Sequence, residues 1–235
     1  MITIMELLDR LQFFGPVDFA AILILALAWG GIGWTIERAN SKRPSVSVLM
    51  AGYRREWMTR FVSRDTRVFD ANILANLRQG TTFFASASMI GIGGGLALIG
   101  NKEQLLGIAK DLTLDAAPAV VWEVKILVVV LFLANGFLKF VWSHRLFGYC
   151  AVLLAAVPND PNDPACIPRA ARAAEINITA ARSFNSGLRS VYFALGALAW
   201  LLGAIPLLVS TAITVLILWR REFASHSRSV LLQAD

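Results

Sequence analysis

The chain has 235 residues, 57% of them apolar and only 16% charged, with a formal net charge of +6 and a mean hydropathy of +0.61. A water-soluble domain of this length needs more charged surface than this composition supplies, and the apolar blocks exclude disorder. The basic excess lies beside those blocks, where charge sets membrane orientation and attracts anionic lipid, so no nucleic-acid partner is expected.

Met1 to Gly15 carries Glu6 and Asp9 against one Arg10, the wrong balance for the basic start of a signal peptide. The first apolar stretch, about Val17 to Ile36, therefore reads as a retained anchor, long enough to cross a bilayer core of about 30 Å. A segment from about 48 to 78 follows, with Met50, Tyr53, Trp57, Phe61, Val68, Phe69, Ile73 and Leu77 at helical spacing and arginines opposite. Such a helix lies in the headgroup layer or packs beneath the bundle. The second span runs from about Thr82 to Ile99. Its small-residue series Ala87, Gly91 and Gly95 suits close helix approach.

The third span, about Ala119 to Trp142, is interrupted by Glu123, Lys125, Asn135 and Lys139. At about 100° per residue, Lys125, Asn135 and Lys139 share an arc of roughly 80°. They form a candidate polar path, with Lys125 paired to Asp18 at the start of the first span. The plainer reading is lysine snorkelling at the helix ends and an Asn135 hydrogen bond between helices.

A turn-rich connector, Pro158 to Pro164, leads to an alanine-rich helix over about 168 to 188 whose small face of Ala170, Ala174 and Ala181 suits close packing. The fourth apolar stretch, about Val191 to Trp219, carries Gly196 and Gly203 as further packing positions. As one helix it extends about 43 Å. One kinked or tilted span is expected, because halves split at Gly203 and Pro206 look too short to cross; a re-entrant hairpin is the alternative.

Counting arginine and lysine puts the first and third loops in the cytoplasm and both termini outside. The Arg220–Arg221 pair argues against that side for the C-terminal tail. The fold class is thus all-α: one polytopic membrane domain, 1–235, of about four transmembrane helices with amphipathic cytoplasmic helices. A bacterial inner membrane is the expected location.

Two polar clusters sit at the inner face. Arg67, Asp70 and Asn72 precede the second span, and Arg182, Asn185 and Arg189 precede the fourth. Together they are a candidate site for an anion, a lipid headgroup or a partner; alternatively they cross-link the inner helices. Cys150 and Cys166 have no metal-ligand spacing, and His144 and His226 fall on opposite sides in this topology. No HExxH, Walker or GxSxG motif is present, so no enzyme, metal or cofactor is expected.

Several stretches carry a resemblance: Arg55-Glu56-Trp57-Met58, Arg67 to Leu74, Gly80 to Ser86, Glu123-Val124-Lys125, Ser183 to Arg189, and Arg220-Arg221-Glu222-Phe223. In this order they resemble an uncharacterised membrane-protein family, domain of unknown function 599. The resemblance implies a four-helix membrane protein and brings no activity. His144 and the connector around Pro161 lie outside the pattern. The leading expectation is a non-enzymatic protein that self-associates or joins a larger membrane complex. An oligomeric channel or small-solute transporter comes second, and a membrane enzyme third.

Overall fold

The computed structural model describes residues 12–38, 42–112 and 118–233. All regular structure among them is helical. In chain order the helices are α1 (Pro16–Glu37), α2 (Val46–Phe61), α3 (Val68–Gly100), α4 (Lys102–Leu112), α5 (Ala119–Ala155) and α6 (Cys166–Ala197). A 3₁₀ turn over Leu198–Leu202 leads to α7 (Ala204–Phe223) and the short α8 (His226–Leu231). Among the described residues, four helical stretches are long and apolar enough to cross a membrane: Pro16–Glu37, Val68–Gly100, Ala119–Ala155 and Ala204–Leu231.

The organising unit is the antiparallel hairpin of α5 and α6, the most extensive helix pair in the molecule. Its connector is fixed by short aspartate side chains, Asp160 accepting from the Asn162 amide at 3.0 Å and Asp163 from the Ala165 amide at 2.7 Å. At the crossing, small residues bring the helices together. A Cβ on Gly187 would stand 2.6 Å from the Phe140 ring, and one on Gly136 would stand 3.3 Å from the Gly187 carbonyl. The helix α3 lies along α5, whereas α1 and α7 form a parallel pair beside α6.

Two cores result. One, built from Leu25, Ile32, Val129, Phe193 and Leu207, lies among α1, α5, α6 and α7. The other, with Met58, Phe61, Leu74, Phe147, Cys150 and Ala174, lies where α2 packs beneath against the extended halves of α3, α5 and α6. In lipid the first core is held by packing, because hydrocarbon offers no hydrophobic drive. In the second, which forms a cap, full burial of Met58 or Phe147 stabilises by about 1.5–3 kcal/mol each.

The structure corrects three sequence expectations. The segment 48–78 is not one helix: it breaks between Phe61 and Val68, where Arg64 and Arg67 turn the chain back into α3. The alanine-rich inner helix is continuous with the start of the fourth apolar stretch, both lying in α6. That fourth stretch is not a single span over 191–219. It breaks at Gly203, whose φ of 125° is open to glycine and strained for other residues. From there α7 runs back beside α1, and its last residues meet the start of α2: the Ser47 amide and hydroxyl donate to Glu222 at 3.0 and 3.1 Å, and Arg43 donates to the Phe223 carbonyl at 2.8 Å. The chain turns back at Gly203 as the hairpin alternative had it, but as two arms that each run between the ends of the bundle, the split that looked too short to cross, and the tail lies at the cap end instead of the end where α1 begins.

Candidate functional site

Chemistry in such a bundle rests on polar groups held away from water. At the end of the bundle opposite the cap, Asp18 sits in the first turn of α1. It accepts from the Gly15 amide at 3.1 Å and from the Trp200 indole N–H at 2.7 Å. Lys125 is buried, its ammonium 5.0 Å from the Trp122 ring centre and 5.8 Å from that of Trp200. Asp18 and Lys125 thus converge, with Trp200 as their common neighbour, a residue the sequence reading left out.

The remaining members of the expected polar path do not join them. Asn135 accepts from the Ser190 hydroxyl at 3.0 Å, the helix-to-helix bond of the plainer reading. Lys139 is exposed on the outer side of α5. Ten residues of α5 separate Lys125 from Asn135, about 15 Å of helix lined between them by buried Val129 and Val130.

The expected inner-face cluster divides into two locks. Arg189 is 7% exposed, lies against Gly33 and pairs with Glu37, tying α6 to the end of α1. Beside it Asn185 donates to the Ser47 hydroxyl at 3.3 Å. The second lock lies near the far end of α5. There Arg67 stacks over Phe61 and donates to the Val157 and Pro158 carbonyls at 2.8 and 2.7 Å. Asp70 is fully buried and accepts from Trp57 Nε1 and Arg64 Nη1, each at 2.5 Å. Arg189 stands level with Asn135, and Arg67 level with Val157, so about 33 Å of α5 separates the two locks. Asn72 and Arg182 are exposed and belong to neither. The arginine–aspartate spacing was legible in the sequence, but that Trp57 and Arg64 occupy Asp70 was not.

A third arrangement joins α2 to α6. Arg55 Nε donates to Glu175 Oε1 at 2.6 Å, which raises the arginine above its ordinary pKa and holds the Glu175 carboxyl below the usual carboxylate range. Burial pushes the neighbouring Arg54 guanidinium down as it bonds Asn177. Asn177 is itself fully buried.

The small residues act within the chain. Cβ atoms on Gly91 and Gly95 would stand 2.9 Å from Leu133 and 2.5 Å from Val130, so both glycines seat α3 on α5. Gly196 does the same for α7, 3.0 Å from Thr214. Ala87 is exposed and stands outside the contact. His144 lies against Thr81 and Thr82, at 3.1 and 3.3 Å, while His226 opens α8. Both histidines are therefore at the cap end, not on opposite sides. Among the described residues no group of three His, Cys, Asp or Glu side chains could hold a metal ion.

A family model described as "Protein of unknown function, DUF599" matches residues 20–227. The chain belongs to that family. No curated protein matches it, and no solved structure does. For the DUF599 chain the matched region runs from the first turns of α1 to the start of α8, so both arginine locks lie within it.

Proposed function

We propose that this protein is a self-associating integral subunit of a bacterial inner membrane, acting by contact and not by catalysis. Its N-terminal end lies outside and its cap in the cytoplasm. The return of α7 supports that orientation: Arg220, Arg221 and Arg228 join the basic residues of the cap end, leaving, among the described residues, Lys102, Lys110 and Lys125 at the other.

The outward face of α5 carries the proposal. Leu131, Leu138, Trp142, Tyr149 and Val152 recur at three, four or seven residues and fall within about 80° of one another, opposite the face that packs on α6. All five are exposed, Val152 at 69%. Lipid covers the upper members. Tyr149 and Val152 lie at the level of the cap, where water would otherwise meet them, and a seam of this spacing fits a second copy of the same helix.

The test is the full-length protein extracted in native membrane fragments, with cysteine placed at Val152 or at Lys139. Cys150 and Cys166 are buried and do not compete. Val152→Cys is expected to cross-link two copies under mild oxidation, and Lys139→Cys, about 100° from the middle of the stripe, is not. A single copy in every fragment, with no cross-link at Val152, would sink the proposal. A stable foreign chain in place of the second copy would shift the reading to an accessory subunit.

A further inference from the structure

Where glycines seat α3 on α5 the two helices touch, but lower down they part around a cavity of about 350 Å³. Its walls are alanines four residues apart on each helix, Ala71 and Ala75 facing Ala151 and Ala155. The buried side chains of Leu74 and Leu154 make its floor. Such a slot is narrow, apolar and open along one side.

Two guanidinium side chains also line it, Arg67 and Arg78. Neither makes an ion pair among the described residues, in contrast with Arg64, which has Asp70. Arg67 is held in place by two backbone carbonyls and the Phe61 ring, which position its charge without neutralising it. Arg78 is exposed and, among the described residues, its guanidinium makes one hydrogen bond, with His144 at 3.4 Å, so its charge is available to a ligand. It stands four residues, one helical turn, before Thr82, where the apolar run of α3 begins. The upper mouth of the slot therefore lies within about 6 Å of the membrane level along the helix.

An apolar slot with an unneutralised cation at its membrane-side mouth selects one kind of molecule. We propose that it binds an amphiphilic anion, its acidic group held by Arg78 and its hydrocarbon chain laid between the alanines toward Arg67. Basic pockets at the inner ends of membrane helices favour such headgroups. The molecule is either an anionic phospholipid of the surrounding leaflet or a free long-chain carboxylate, and the two share this chemistry.

Full-length protein in phosphatidylcholine nanodiscs, titrated with dodecanoate against empty nanodiscs, tests the free carboxylate. Nanodiscs doped with phosphatidylglycerol, read by native mass spectrometry for retained lipid, test the bilayer source. Saturable binding of either probe, one per chain, is expected. Arg78→Gln should weaken it about fivefold, the typical worth of one basic residue near anionic lipid. Arg67 is unsuitable for this purpose because it also holds the connector. Ala151→Leu fills the slot without changing charge and should abolish binding; Ala75→Leu, on the more exposed wall, does the same if the first variant fails to fold. Retention of dodecanoate alone assigns the free source, and of phosphatidylglycerol alone the bilayer. Binding of neither probe, or binding untouched by Ala75→Leu, overturns the proposal.

Discussion

Asp70 offers the sharpest test of how the cap is held. It lies in the first turn of α3 with no exposed surface, and one oxygen serves both the Trp57 indole and the Arg64 guanidinium. Asp70→Ala strands the half-buried indole N–H, which costs about 1–3 kcal/mol. It also removes a carboxylate from a helix N-terminus, about 0.5 kcal/mol more. Loss of the Arg64 pair adds only about 1 kcal/mol, because that side chain is 37% exposed and water replaces its partner. The total is about 3 kcal/mol, or about a hundredfold in the equilibrium that opens the Val62–Arg67 link. Asp70→Asn keeps an acceptor for Trp57 and loses the charge, so about tenfold is expected. Trypsin reads this directly, since Arg64 lies inside the link and cleavage follows the population of the open form when reclosing is fast. The order should be alanine, then asparagine, then the parent chain, with the main thermal transition in detergent moving less. If Asp70→Ala is cut at the parental rate, the carboxylate does not hold the cap and the reasoning fails.

Two further predictions concern glycines. Gly95→Leu drives a side chain into Val130, and because α3 has α5 as its main neighbour it should lower stability to denaturing detergent by at least about 2 kcal/mol. Gly94→Leu, one residue away, meets nothing within 4 Å and should stay within about 0.5 kcal/mol of the parent; equal losses from the two would refute the contact. Gly203→Ala forces an L residue to a φ of 125°, a strain of about 1–3 kcal/mol localised at the turn into α7. A fluorescent-protein fusion to the C-terminus should light up in the cytoplasm, and an alkaline phosphatase fusion active there would restore the single-span topology.

How much of this was legible depended on whether a helix crosses the membrane with a uniform face. The apolar runs of α1, α3 and α5 exceed a bilayer, and length alone finds them. The helix α6 fails that test, because the half that packs beside α1 begins among Asn185, Arg189 and Ser190, which hydropathy scores as water-exposed. Those side chains are satisfied by Ser47, Glu37 and Asn135, partners on other helices that a linear reading cannot supply. Counting only the apolar residues before Gly203 made that half look too short to cross, and the reversal was read as a kink. The contrary evidence lay in Arg220 and Arg221, which end α7 beside the cap.

The polar path misled for the complementary reason: 100° arithmetic orders residues around α5 but does not say which neighbour each direction meets. Lys125 points toward Trp122 and Trp200, Asn135 meets Ser190, and Lys139 faces outward. Interior polarity in this family fold is thus used to fasten helices in pairs, Glu37 to Arg189 and Asp18 to Trp200. The arginines left over from that fastening, at Arg67 and Arg78, are where a ligand has charge to meet.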